Sequence, residues 1–363
     1  MAPSITKRKR RNWAPYLLIL PSLIYMALFF AWPMARGLIL AVREDGALLT
    51  LREEAQRDSP TAGQLPRGAQ VGILDQQGNL VRGLTAADFR ASFRGHPVKI
   101  LSVSRSTGSR RIVILLDVSG SMTGSQRKMK LGLTAAEDAA VYSSAETRLA
   151  LLIFAEKVVD KVDFSEGRST VAAKLAAIKA GKEPPYDVKG RTALIDTLVE
   201  ATRMLSPGKS GDAVYVITDG GDSASRTRYR DMEGGLLVAG VRFYAFALYD
   251  PIAQRSMPEY LWGPNWLLDS ARNTGGAFVG VGDIPRSDDE LQALGAVTRR
   301  VYEQMAEFYR FEVELPVGVD KARGWKLEVV DAKGKRRKDV EVVYPRKLAP
   351  CAASDQRPAT GDR

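Results

Sequence analysis

The sequence predicts a doubly wound α/β fold with a mostly parallel sheet, and three observations lead to this expectation. Apolar runs recur at 112–116, 212–218 and 241–248. Segments with apolar residues at helical spacing, such as 129–140, separate these runs. Runs of this kind suit parallel strands that helices cover on both faces. The alternation of strand and helix extends over residues 105–284, which we assign to one domain.

Each element of this domain is predicted from its own periodicity. A strand shows a short apolar or alternating run, whereas a helix shows apolar residues three or four positions apart. In chain order, we expect strands at 111–117, 148–155, 158–164, 212–219, 241–248 and 277–281, and helices at 129–140, 171–178, 192–205, 232–240 and 266–274.

The turn after the first strand carries oxygen-bearing side chains at alternate positions, namely Asp117, Ser119 and Ser121. Parallel sheets bind ligands beyond the carboxyl ends of their strands, so this turn stands where a site is expected. A carboxylate and two hydroxyls are hard donors, which favour Mg²⁺, Mn²⁺ or Ca²⁺ over Zn²⁺. The alternative for this short motif is a polar turn in which Asp117 caps the next helix.

Two later segments offer further oxygen atoms at comparable positions. Thr192 stands at a helix start, and Asp219 ends the apolar strand that begins at Asp212. The order Asp-x-Ser-x-Ser, then Thr, then Thr-Asp-Gly resembles the von Willebrand factor A domain and its metal-ion-dependent adhesion site. The resemblance covers residues 108–282.

The resemblance implies a metal site and a way of binding. In that family a divalent cation keeps an open coordination position, which an acidic side chain of a protein partner fills, and some protein contacts pass through water. Mg²⁺ is the expected ion here, with Mn²⁺ and Ca²⁺ as alternatives. The implied ligands are Asp117, Ser119, Ser121, Thr192 and Asp219.

The loop after Asp219 offers candidate contacts for that partner, namely Asp222, Arg226 and Arg228. If the loop borders the metal, its arginines favour an acidic partner. A solvent-facing loop without this role is the alternative.

The segments on either side of the α/β domain are both expected to be β. With 363 residues and 45% hydrophobic content, the chain has material for at least two folded units. We expect β segments at 70–104 and 311–346, with a helix at 285–310 between the α/β domain and the second of them. Neither β segment has enough strands to be stable alone, so the two are expected to form one small β-sandwich. Two separate β pieces are the alternative.

The first β segment resembles the lead-in of bacterial cell-envelope proteins that carry von Willebrand A-related domains. The similarity lies between Gly72 and Ile100. The segment departs from that family at Phe93-Arg94-Gly95-His96-Pro97, where an acidic pair usually precedes the Gly-x-Pro turn. The resemblance therefore bears on architecture more than on function.

The N-terminus predicts a membrane anchor. A basic cytoplasmic segment at 1–12 precedes an apolar stretch at 13–42, long enough to cross a bilayer, and a linker at 43–69. Basic residues stay cytoplasmic, so we expect a single-pass protein of the inner or plasma membrane with its bulk outside the cytoplasm. A cleaved signal peptide is the alternative. Residues 14–33 also resemble the first membrane helix of sugar-type ABC transporter permeases.

Composition argues against two classes of function. The single cysteine, Cys351, lies in a tail at 347–363 that we expect to be disordered, and the single histidine, His96, lies in an expected β-turn. Neither can activate Ser119 or Ser121 as a nucleophile, so we expect no enzyme. The net charge of +11 includes the anchor's basic run and a run at 333–338, expected at a solvated hairpin tip. No basic surface interleaved with aromatics is evident, so nucleic acid is not expected.

The sequence as a whole predicts a membrane-anchored binding protein. A divalent cation at the strand ends would hold the carboxylate of a protein partner. One alternative is a structural scaffold of the cell envelope with a vestigial metal site. Another is an accessory subunit of an ABC transporter, attached through the first helix.

Overall fold

The computed structural model describes residues 65–106, 109–181, 190–248, 263–282, 287–315 and 322–348. The expected anchor at 13–42, with its resemblance to permeases, and Cys351 lie outside these ranges. In the described part of the chain, no helix is both long and apolar enough to span a membrane.

The elements of the described residues are labelled in chain order. The strands are β1 (Leu65–Asp75), β2 (Phe89–Phe93), β3 (His96–Val98), β4 (Ile100–Ser106), β5 (Arg110–Asp117), β6 (Thr147–Phe154), β7 (Val158–Val162), β8 (Ala213–Thr218), β9 (Arg242–Leu248), β10 (Phe278–Val281), β11 (Phe308–Leu315), β12 (Arg323–Val329), β13 (Val340–Val343) and β14 (Lys347–Leu348). The helices are α1 (Gly120–Thr123), α2 (Gln126–Tyr142), α3 (Gly167–Lys179), α4 (Leu194–Met204), α5 (Tyr229–Ala239), α6 (Gly263–Thr274) and α7 (Asp288–Ala306).

The largest sheet has six strands in the order β10-β9-β8-β5-β6-β7. Its neighbouring strands run parallel, except that β7 is antiparallel to β6 at one edge. The predicted α/β fold with a mostly parallel sheet is therefore confirmed. Because the chain passes from β5 to β6 on one side and later returns to β8 on the other, the carboxyl end of β5 lies at a topological switch point, where open α/β sheets bind ligands.

Strand β5 is buried because helices cover both faces of this sheet. Its alternate side chains enter two different cores. Ile112, Ile114 and Leu116 pack in the core that includes the buried face of α2. Val113 and Leu115 pack in the core that includes α4. The apolar run seen in the sequence is thus the signature of a strand without a solvent-exposed face.

Helix α2 lies close against the sheet beside the carboxyl end of β5. A β-carbon added at Gly132 would stand 3.2 Å from Cγ2 of Ile217 and 3.3 Å from Cε of Met122. Ser125 caps the helix, since its hydroxyl accepts a hydrogen bond from the backbone N–H of Lys128. The cap and the glycine together fix where the first turn of α2 stands.

The segments before and after the α/β domain build two four-stranded antiparallel sheets, with the orders β13-β1-β11-β4 and β14-β12-β2-β3. In each sheet a strand from before the domain pairs with one from after it, β1 with β11 and β2 with β12. The two sheets share a core in which Phe89 and Phe311 meet edge to face, with ring centroids 4.7 Å apart. The α/β domain is inserted between strands of this β-sandwich.

Two boundaries differ from expectation. Strand β1 begins at Leu65, inside the expected linker, because antiparallel pairing with β11 supplies hydrogen bonds that a local sequence pattern does not report. Residues 347 and 348 form β14 against β12, so the expectation of a disordered tail was wrong for these two. The basic run at 333–338 lies on an exposed turn that an antiparallel bridge between Val330 and Arg336 closes, as expected for a solvated hairpin tip, although β12 and β13 themselves belong to different sheets.

Helix α7 joins the α/β domain to the β-sandwich at the amino edge of the central sheet. Arg242 of β9 is buried and donates hydrogen bonds to the carbonyls of Gln304 and Met305, in the last turn of α7. Arg110 of β5 donates to the Met305 carbonyl as well. The final carbonyls of a helix have no partner within it and carry partial negative charge, so the two guanidiniums cap this end.

The joint β-sandwich can be tested by truncating its central aromatic contact. Phe311→Ala should lower the free energy of unfolding by about 3–5 kcal/mol, because it removes a fully buried ring from between the two sheets. Leu101→Ala, at a residue 42% exposed on β4 of the same sheet, should change it by about 0.5 kcal/mol. Urea unfolding measures both values, and equal losses would contradict the shared core.

Candidate metal centre

Asp117 ends β5 and its carboxylate is completely buried. Its Oδ1 accepts a hydrogen bond of 2.8 Å from the backbone N–H of Ser119. Its Oδ2 accepts one of 2.6 Å from the hydroxyl of Thr218, the last residue of β8. Both oxygens are therefore held in place, one by the turn and one by the neighbouring strand.

The two serines stand at the start of the short helix α1. Ser119 occupies the position before its first residue, and the hydroxyl oxygens of Ser119 and Ser121 lie 3.2 Å apart. Ser119 is buried whereas Ser121 is exposed. The pair thus places two hydroxyl oxygens side by side, one inside the turn and one toward the outside.

Asp219 follows β8 directly, so its carboxylate lies at the same edge of the sheet as Asp117. Its Oδ2 stands 3.3 Å from the ammonium nitrogen of Lys128 in the first turn of α2. Its Oδ1 is buried, and none of the residues that the structure describes forms a hydrogen bond with it. A buried carboxylate oxygen in this condition is costly, and a bound cation is one way to satisfy it.

Backbone hydrogen bonds tie Thr192 and the residue after it to the carboxyl ends of β8 and β6. Its N–H donates to the hydroxyl of Ser223, and its carbonyl accepts from the N–H groups of Ser223 and Ala224, in the loop that follows Asp219. The next residue, Ala193, donates to the carbonyl of Ala155 just beyond β6. The buried threonine therefore stands between the ends of β6 and β8, and α4 begins two residues later than expected.

The remaining predicted residues lie in the loop after Asp219. Oδ1 of Asp222 accepts hydrogen bonds from the N–H of Leu194 and the hydroxyl of Ser225, so this carboxylate caps α4 from within the chain. Arg226 and Arg228 are exposed. Their role as contacts for a partner stays a prediction.

The two aspartates affect each other electrostatically. Burial, and next the charge of Asp219, raise the pKa of Asp117 to about 7. Two carboxylates in one buried place repel each other when both are ionised, and a divalent cation between them relieves both costs. The described residues contain no cluster of three or more His, Cys, Asp or Glu side chains suited to a metal. The donors at this site are instead two carboxylates together with hydroxyl oxygens. The site therefore fits a hard divalent cation and does not fit Zn²⁺.

Two residues of this site were not identified from the sequence. Thr218 belonged to the Thr-Asp-Gly motif, but its bond to Asp117 depends on the pairing of β8 with β5. Lys128 was not singled out at all. A signal was present, because a lysine in the first turn of a helix opposes the helix dipole and calls for a compensating acid.

The raised pKa of Asp117 predicts how stability depends on pH without metal. The folded chain holds this proton more tightly than the unfolded chain, where the pKa is 3.8, so the free energy of unfolding falls as the pH rises from that value to about 7. Asp117→Asn should remove this pH dependence. Its amide offers one acceptor for the two hydrogen bonds, which costs stability at every pH, but relative to the unmodified chain its free energy of unfolding should rise by about 3 kcal/mol from about pH 5 to about pH 8.

Urea unfolding in EDTA across this pH range measures the effect. Asp231→Asn, at an exposed position of α5, is the control and should show no such trend. A difference between Asp117→Asn and the unmodified chain that does not vary with pH would contradict the assignment.

Comparison with known proteins agrees with the α/β fold. The family described as von Willebrand factor type A domain matches residues 112–221. No curated protein matches the sequence significantly.

Several solved structures resemble the chain at low identity. A von Willebrand factor type A protein from Catenulispora acidiphila is 14% identical, with 82% of this chain and 76% of that chain covered and a TM-score of 0.41. Proximal thread matrix protein 1 from the mussel byssus is 14% identical with a TM-score of 0.41, covering 57% of this chain and 49%, about half, of that protein. The conserved hypothetical protein BatB from Bacteroides thetaiotaomicron is 16% identical with a TM-score of 0.37, covering 54% of this chain and 98% of that chain.

These structural likenesses are too distant to carry an argument about function. The family match includes Asp117, Ser119, Ser121, Thr192 and Asp219. On that match and on its mostly parallel α/β sheet, the chain contains a von Willebrand factor type A domain.

Proposed function

We propose that this chain is a membrane-anchored, extracytoplasmic protein that binds an acidic protein partner through a divalent cation. The observation that carries the proposal is the buried, unpartnered Oδ1 of Asp219 beside a second buried carboxylate, Asp117. No hydrogen bond from the described residues satisfies that oxygen, and a cation at this edge of the sheet would.

The cation would be held by the side chains of Asp117, Ser119, Ser121, Thr192 and Asp219. Mg²⁺ suits these hard oxygen donors, with Mn²⁺ and Ca²⁺ as alternatives. When bound, the ion supplies a positive charge that attracts an anionic ligand. The chain's own part includes holding Asp117 ready: Thr218 and the N–H of Ser119 fix its two oxygens, so little reorganisation of this carboxylate is needed on binding.

The charge around the site supports an acidic partner. Arg226 and Arg228 are exposed on the loop after Asp219. The N–H of Arg226 donates to Oδ2 of Asp196 in α4, so the loop is pinned close to α4. Exposed arginines on a pinned loop favour carboxylates on an approaching surface and raise the rate of encounter.

No catalytic step and no nucleic-acid contact belong to this proposal. Ser119 and Ser121 lie at the end of β5, whereas His96 begins β3 of the β-sandwich, so no histidine base serves them. The anchor at residues 13–42 places this domain outside the inner or plasma membrane in the proposal, on the strength of its length and its basic flank.

The test is capture of a partner from an envelope extract by the full-length chain, with Mg²⁺ or with EDTA. A partner should bind in Mg²⁺ and be lost in EDTA. Asp117→Ala should lose it in both conditions, with at least a tenfold loss of affinity, because it removes a charged ligand of the cation. Asp231→Ala, at an exposed acid of α5, should bind like the unmodified chain. If the partner is captured equally well in EDTA and in Mg²⁺, the proposal is wrong.

A structural scaffold of the cell envelope is the second candidate, and one contact favours it. The ammonium of Lys128 already neutralises part of the charge at Asp219, as expected if the domain packs permanently against a neighbour without a working metal site. Isothermal titration calorimetry separates the two functions. The scaffold predicts no heat when Mg²⁺ or Mn²⁺ is added, whereas the metal-dependent function predicts saturable binding that Asp117→Ala abolishes.

A further inference from the structure

Lys128 is the one cationic side chain that the described residues bring into contact with the carboxylates of the metal centre. Its Nζ lies 3.3 Å from Oδ2 of Asp219, and its side chain is only 14% exposed. We propose that this ammonium is an internal cation that holds Asp219 in the metal-free domain and has to leave it when a divalent cation binds. The inference rests on the proposed metal site.

The position of Lys128 is unfavourable apart from this contact. It lies in the first turn of α2, where the partial positive charge of the helix N-terminus repels a lysine. Largely removing an ammonium from water adds a further cost. Asp219 offsets both, so the contact with this carboxylate accounts for a lysine at this place.

Packing fixes the position of helix α2, from which the side chain of Lys128 extends. The close approach of α2 to the sheet at Gly132 and the hydrogen bond from the Tyr302 hydroxyl to the Ala135 carbonyl both hold α2 against its surroundings. The stem of a lysine is flexible, with four carbons between the backbone and the charge. Release of Asp219 therefore needs a rotation of the side chain and no movement of the helix.

The charges of Asp117, Asp219 and Lys128 determine how Lys128 affects the affinity of the site for metal. Asp117 and Asp219 carry two negative charges when ionised, and Lys128 carries one positive charge. An ammonium in contact with one of the ligands repels an incoming divalent cation and has to give up its own ion pair. Lys128 therefore lowers the affinity of the site for metal. In the metal-bound state its nearby charge adds to that of the ion, which strengthens the attraction for an acidic partner.

Calorimetric titration of the full-length chain with MgCl₂ or MnCl₂ tests the inference. Lys128→Met keeps the length of the side chain and removes its charge, and it should bind each ion about tenfold more tightly than the unmodified chain. Lys128→Arg keeps the charge and should retain the weaker affinity. Lys130→Met removes an exposed lysine of the same helix and is the matched control, with unchanged affinity.

Thermal unfolding gives an independent readout. In EDTA, Lys128→Met should unfold at a lower temperature than the unmodified chain, because the buried carboxylate of Asp219 loses its cation, and saturating Mg²⁺ should restore the midpoint. Lys130→Met should show neither change. A midpoint in EDTA that is the same for all three proteins would overturn the role of Lys128 in the metal-free domain.

The outcomes separate this inference from the proposed function. Equal, measurable affinities of the unmodified chain and Lys128→Met would overturn the inference and leave metal-dependent binding standing. Heat from Lys128→Met alone would support the internal cation and overturn the metal-dependent function of the unmodified chain. Absence of heat from every variant would overturn both and favour the scaffold.

Discussion

The burial of Asp117 at the end of β5 is the constraint on which the site depends. A carboxylate completely removed from water has to be satisfied by its neighbours, and here the turn supplies the N–H of Ser119 and the adjacent strand supplies the hydroxyl of Thr218. The second bond exists only because β8 pairs with β5 in the sheet. The same pairing brings Asp219 to this edge, so one feature of sheet topology both stabilises the first carboxylate and creates its repulsion with the second.

Because of that repulsion, different cations would neutralise the carboxylates in the metal-free and the metal-bound state. Without a metal, Lys128 faces Oδ2 of Asp219, and no described residue donates a hydrogen bond to Oδ1. A divalent cation would satisfy Oδ1 of Asp219 but compete with Lys128 for Oδ2. In the proposed function, the site is balanced between an internal cation and an external one, and an acidic ligand that approaches the external ion would shift this balance toward it. Metal uptake and partner binding would then be linked, each increasing the affinity for the other.

The sequence predicts what depends on local pattern and misses what depends on packing. The strands that end at Asp117 and Asp219 follow from apolar runs, because a strand covered on both faces has no polar positions. Thr192 was identified only through the order of motifs in a known family, since nothing near it in the sequence reports the loop at Ser223 that holds it. The contact of Lys128 depends on how closely α2 approaches the sheet at Gly132, a tertiary property that helical spacing does not contain.

The two ends of β5 have separate tasks, and their separation bears on how a partner could reach the site. At the amino end, Arg110 caps the last turn of α7, which leads directly into β11 of the β-sandwich. At the carboxyl end, Asp117 begins the metal centre. An eight-residue strand is about 26 Å long, at roughly 3.3 Å per residue. The connection through α7 to the β-sandwich is therefore made at the edge of the sheet opposite the metal centre. Insertion of the domain between strands of the sandwich holds it at that edge and leaves the loops at the carboxyl edge free to carry the ligands.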